Sequence, residues 1–150
     1  MATQAPPATQ AAATRADDPP RVCLLGVPLI EHAGTRLVLA PERPLQMLAW
    51  LATQTDWTSR ERLAALFWPE HSSEAARSNV RKLLHRAHAL TSELGLPQLQ
   101  EQAGSVRWPL ATDVQAFEQA AAAGAVDAAL ALWRGEPWQG FEVGSQPFGE

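Results

Sequence analysis

The run SSEAARSNVRKLLHRAHAL, Ser72 to Leu90, decides how the rest of the chain is read. At 3.6 residues per turn it separates into two unlike faces. Ala76, Val80, Leu83, Leu84, Ala87 and Leu90 fall on one side. Glu74, Ser78, Arg81, Lys82 and His85 fall on the other, with Arg77 and Arg86 on the flanks. The apolar side requires a core. The polar side is a row of hydrogen-bond donors at fixed spacing, on a helix of a size that the major groove of a duplex accepts. A solvated basic helix face has the same pattern, so the surrounding sequence has to decide between the two readings.

Two more helices are expected upstream. In Pro41 to Thr55 the apolar stripe is Leu45, Leu48, Ala49, Leu51 and Ala52, with Met47 and Trp50 at its edges. Thr58 or Ser59 caps the next helix, with Glu61 in the first turn beside its positive end. Leu63, Ala64, Leu66 and Phe67 form its buried face, and Pro69 ends it. Trp50, Trp57 and Trp68 fit core and hinge packing better than a ligand cage. The short turn FWPEHSS leads to Ser72 or Ser73 as the cap of the third helix, and Gly95 closes it. Downstream, LPQLQEQAGSVRWPL reads as strand, turn and strand. QAGS is its tip, Val106 and Trp108 point inward, and Arg107 points outward.

The ends of the chain differ from this middle. Residues 1–20 are mainly Ala, Pro, Thr and Gln, and are expected to form a disordered leader. Arg21 to Leu39 reads as short strands: VCLLGVPLI is broken by Gly26 and Pro28, and HAGT turns the chain into RLVLA. Cys23 is expected to pack there as a small hydrophobe. From Thr112 onward two helices are expected around Gly124. The first carries Val114, Phe117 and Ala120, and the second Ala128, Ala129, Leu132 and Trp133. Such a hairpin cannot bury its own face without further helices.

Bulk properties narrow the class. One cysteine excludes an internal disulfide and fits a reducing, cytoplasmic setting. No apolar run approaches the roughly 20 residues of a membrane span, and the first residues lack the basic and apolar regions of a secretory signal. The net charge is −4, but unevenly placed. Trp57 to Leu110 holds seven basic against five acidic side chains, and the remainder five against eleven. Local distribution matters more than the total for a phosphate-binding surface. GxSxG, GxxxxGK[ST], GxGxxG and HExxH are absent, so neither an enzyme nor a cofactor is expected. His85 and His88 lie one turn apart, but no third ligand stands at metal-site spacing.

Strands, three helices and a β-hairpin, in that order, are the layout of a winged helix. The expected fold is therefore mainly α with small β-sheets: a leader at 1–20, a winged helix-turn-helix at 21–111, and an incomplete helical-repeat hairpin at 112–150. In winged-helix docking the third helix enters the major groove, and the hairpin reaches the backbone or the minor groove.

The stretch ERPLQMLAWLATQTDWTSRERLAALFWPEHSSEAARSNVRKLLHRAHAL resembles the DNA-binding domain of the antibiotic regulatory protein (SARP) family of bacterial transcriptional regulators, which is similar to the OmpR/PhoB-type winged helix. Arg60-Glu61-Arg62-Leu63, Leu66-Phe67-Trp68-Pro69 and Ala75-Ala76-Arg77-Ser78-Asn79 carry the likeness. TDVQAFEQA and ALALWRGEPWQGF resemble the opening of the bacterial transcriptional activator domain, a tetratricopeptide-like module. Many relatives have Gly-Tyr in the wing, where this chain has Gly104-Ser105-Val106-Arg107-Trp108. The resemblance implies a sequence-specific activator that binds double-stranded DNA as a homodimer and contacts RNA polymerase.

On that reading Arg77, Ser78 and Arg81, nearest the helix start, read bases, with His85 on the same face. Lys82 and Arg86 contact phosphates. Arg60 and Arg62 start the helix that crosses the backbone, where free N–H groups favour a phosphate. Arg107 reaches the minor groove or a phosphate from the wing. The alternatives are a protein-interaction module with an incidental basic face, or the regulatory head of a larger signalling ATPase.

Overall fold

The computed structural model describes residues 19–140; nearly all of the expected leader, and everything from residue 141 onward, lies outside the described residues. Among the described residues there are five helices and seven strands, arranged in two small sheets. No helix is long and apolar enough to cross a membrane. The described residues divide into two compact units, one of 19–39 with 110–139, the other of 40–109 with 140.

In the first unit β1 (Arg21–Cys23), β2 (Leu29–His32) and β3 (Thr35–Val38) form an antiparallel meander. The expected HAGT turn is its second corner, with Ala33 and Gly34 both at positive φ (53° and 79°), the backbone of a two-residue type I′ hairpin. Val22, Leu24 and Ile30 are fully buried, and each such side chain contributes about 1.5–3 kcal/mol through removal from water. Cys23 is buried with them, as expected of a small hydrophobe.

A fourth strand, β7 (Ala111–Thr112), joins this sheet parallel to β1, pairing Arg21 with Ala111 and Val22 with Thr112. Helices α4 (Asp113–Ala122) and α5 (Val126–Leu132) follow it. The Thr112 hydroxyl caps α4 by accepting from the Gln115 N–H at 3.1 Å. The Asp113 carboxylate turns away to accept the N–H groups of Leu24 (2.7 Å) and Leu25 (3.1 Å). The structure thus groups the first strands with the last helices, where the sequence reading cut the chain at 111/112. A two-residue strand, the Asp113 carboxylate and backbone hydrogen bonds from Arg134, Trp138 and Gln139 to Leu25, Leu24 and Gly26 make that connection, and none of them produces a periodic signal.

The second unit is built on helices. In α1 (Arg43–Ala52) every residue from Pro44 to Ala52 is buried, the polar Gln46 included, so the helix is covered on all sides rather than along one stripe, and Met47 and Trp50 are interior. After β4 (Thr58–Ser59), α2 (Arg60–Phe67) buries only Leu63 and Phe67. Ala64 and Leu66, expected on its inner face, are half-buried. α3 (Ser73–Leu94) follows. Ser72 caps it by accepting from the Ala75 N–H at 3.2 Å, and Gly95 closes it at φ 72°, the left-handed end that glycine adopts at least cost. Ala76, Val80, Leu83, Leu84 and Ala87 are buried as the period predicts. Leu90 is only half-buried; Thr91 is buried instead and donates its hydroxyl to the His88 carbonyl at 3.0 Å.

Strands β5 (Gln100–Gln102) and β6 (Ser105–Arg107) form the hairpin, and β4 pairs with β6, giving the order β4–β6–β5. Ala103 and Gly104 make its tip, again both at positive φ. Val106 and Trp108 are buried, as their alternation predicts, and the Trp108 indole N–H donates to the Pro97 carbonyl at 2.8 Å.

Candidate nucleic-acid interface

The outer face of α3 carries Arg77, Arg81, Lys82, His85 and Arg86, all exposed, with Ser78 half-buried. The helix period places them there because the opposite positions hold the core. None of the four Arg and Lys cations is in an ion pair among the described residues. Their charge is therefore available to a ligand.

The other expected contacts are held differently. The Arg62 guanidinium lies over the Trp50 ring, 5.5 Å from its centroid. Arg107 lies 4.5 Å from the Trp57 ring centroid and donates its Nε–H to Gln100 Oε1 at 2.7 Å. Such stacking fixes the side chain while leaving the cation uncompensated. Trp57 is thus a platform for a hairpin arginine as well as a packing residue.

Arg60 is committed within the protein. Its Nη2 donates to Glu101 Oε1 at 2.6 Å, and its Nε is buried without a hydrogen-bond partner. Its backbone N–H donates to the Gly104 carbonyl at 3.1 Å, and the Arg62 N–H donates to Ser59 Oγ at 3.0 Å. Two of the N–H groups expected to attract a phosphate at the start of α2 are therefore already used.

Sequence reasoning missed Arg43. An open groove of about 290 Å³ is lined by Arg43, Trp68, Asn79, Lys82, Leu83 and Arg86, three cations and no carboxylate. Arg43 donates to the Phe67 carbonyl at 2.9 Å and stands over the Phe67 and Trp68 rings at 5.8 and 5.3 Å. Its signal in the sequence was a basic residue in the first turn of a helix, where the dipole disfavours one. Asn79 is half-buried on this groove.

His88 was also missed, having been weighed only as a partner for His85. His85 is exposed, whereas His88 turns its Nδ1 to Gln98 Oε1 (2.9 Å) and its Nε2 to Glu101 Oε2 (2.6 Å). Burial lowers the His88 pKa, but the bonds to Gln98 and Glu101 and the Glu101 charge outweigh it, and the net shift is upward. The His88 hydrogen bond, helped by Arg60 against partial burial, holds Glu101 below the ordinary carboxylate value.

No family model matches the chain, and no curated protein matches its sequence. Among solved structures, EmbR of Mycobacterium tuberculosis, in complex with a low-affinity phosphopeptide, superposes with a TM-score of 0.60 at 20% identity. The match covers 87% of this chain and 39% of that one. At this identity the likeness is one of fold.

Proposed function

We propose that the chain is the DNA-binding part of a transcriptional regulator, with residues 40–109 forming a winged helix. In this reading α3 is the recognition helix and β5–β6 the wing. One observation carries it: among the described residues, of the eight Arg and Lys side chains in this unit only Arg60 is ion-paired, and five of the rest line the exposed side of α3 and its neighbouring groove. Arg77, Ser78 and Arg81 read bases, with His85 beside them. Lys82, Arg86 and Arg43 hold the phosphate backbone, and Arg107 on its Trp57 platform approaches from the wing. Arg62 lies at the edge of this surface, while Arg60 holds the hairpin. A cytoplasmic protein that binds two half-sites as a homodimer and contacts RNA polymerase fits the same reading.

The test is a salt series on a duplex taken from the protein's own upstream region. Log affinity is expected to fall linearly with log salt, with a slope equivalent to roughly 3–6 neutralised phosphates per chain. A flat response rejects the reading. A second reading, a protein-interaction module, is favoured by the exposed Val126, Leu130 and Trp133 of the α5 region. It predicts a partner protein and no salt-dependent affinity for duplex.

A further inference from the structure

Glu101 sits where three elements of the second unit meet. On β5 it pairs with Val106 of β6, whose side chain is buried, so both residues stand on the side of the sheet that faces the helices. One Glu101 oxygen accepts from Arg60 at the start of α2, and the other meets the His88 ring on α3, both at 2.6 Å. Gln98 meets the second ring nitrogen. Its amide nitrogen is turned to the His88 carbonyl at 3.5 Å, so the oxygen is the end facing the ring. Both imidazole nitrogens therefore face acceptors. A neutral imidazole donates from only one nitrogen and sets the lone pair of the other against an oxygen; the imidazolium donates from both.

We propose that Glu101 and His88 are positioning residues that clamp the β5–β6 hairpin onto α3, and that the clamp closes when His88 takes a proton. The inference rests on the DNA-binding reading for its consequence, because the clamped hairpin carries Arg107 and the clamp holds Arg60. Protonation adds one positive charge to this surface and fixes the hairpin relative to the recognition helix, so both effects strengthen duplex binding at lower pH. The charged groups facing the ring are Glu101 from β5 and, across Glu101, Arg60 from α2. Gln98 is neutral, and on the same helix His85 and Arg81 lie one and two turns earlier. Carboxylate, imidazolium and guanidinium together leave one net positive charge, which falls to zero when His88 loses its proton.

The first measurement is an NMR titration of the His88 ring in the full chain. The ring is expected to titrate above an ordinary histidine, and Glu101→Gln to bring it back toward that value. An ordinary value in the wild type, or one that Glu101→Gln leaves unmoved, overturns the clamp. The second is duplex affinity at constant salt from about pH 6 to about pH 8, the range of histidine titration. Wild-type affinity is expected to fall about two- to fivefold more than that of Glu101→Gln, as befits an ion pair about one-third exposed. His88→Gln, which cannot gain a proton, should give the same flattened profile. Parallel profiles for wild type and both variants, with His88 titrating high, overturn the positioning role. If no protein shows salt-dependent duplex binding, the DNA reading fails, while the ring titration still decides whether the clamp exists.

Discussion

The arginines of the two units are used in opposite ways. In the unit of β1–β3 and α4–α5 each described arginine faces a buried carboxylate. Arg21 and Arg36 hold Glu31 at 3.2 and 3.1 Å, and Arg134 approaches Asp113 at 3.9 Å. Glu31 and Asp113 are only 2% and 1% exposed. In the unit of α1–α3 and the hairpin, seven of the eight Arg and Lys side chains have no ion pair among the described residues. A charge taken out of water needs a partner, and losing that partner is expensive. A charge left at the surface needs none and stays available to an anion. The same residue type therefore supports structure in one unit and a candidate binding face in the other.

The comparison is broken most severely at Asp113. Burial pushes its carboxyl up, against the two backbone N–H bonds and the charges of Arg134 and Arg21. Asp113→Ala removes the acceptor of two backbone N–H groups and should cost about 2–6 kcal/mol in denaturant unfolding, at about 1–3 kcal/mol per stranded group. The slope of duplex affinity against salt, measured where the variant stays folded, should not move. A changed slope would mean that Asp113 does more than hold the fold.

Arg81→Ala should do the reverse, leaving stability within about 0.5 kcal/mol and relaxing base preference by roughly 1–3 kcal/mol over a panel of altered duplexes. Equal weakening on specific and random duplex would remove Arg81 from base reading. Lys82→Ala and Arg43→Gln are milder. Each should weaken all sequences alike and lower the salt slope by about one phosphate. An unchanged slope in Arg43→Gln would confine Arg43 to packing on Phe67 and Trp68.

The smallest effect is the pH dependence of stability from His88 and Glu101. The raised His88 pKa gives stability that is present below the ordinary histidine value and lost as pH rises through the raised one. The lowered Glu101 pKa gives stability that is present above the ordinary carboxylate value and lost as pH falls through the lowered one. The pair is strongest between those limits. It is worth only a few tenths of a kcal/mol because both side chains are about one-third exposed. Thermal unfolding of wild type and His88→Gln across pH would show this as a shallow maximum in the difference. Cys23 supplies a contrast with no expected effect. Burial pushes its thiol up to about 11, so alkylation near neutral pH should begin only on unfolding.

Much of the fold was legible because local rules write it. The caps Ser59 and Ser72, the stop at Gly95, the HAGT and QAGS turns and the buried stripe of α3 each depend on a few neighbouring residues. The outer row Arg77, Ser78, Arg81, Lys82, His85 and Arg86 follows from the same period. The neighbouring helix was misjudged where burial on all sides replaced one-sided packing, as in α1. β7 was missed because two residues show no alternation.

What the sequence determined by itself is therefore the set of helices and turns and the basic row on α3, since period and capping act over a few residues. Which basic side chains remain free was decided only by tertiary structure. Arg60 meets Glu101 across 41 residues, and Leu24 meets Asp113 across 89. Arg43 comes to stand beside Lys82 and Arg86 through helix packing alone. Charge is a property of the residue, but its availability depends on what the fold brings within hydrogen-bond reach.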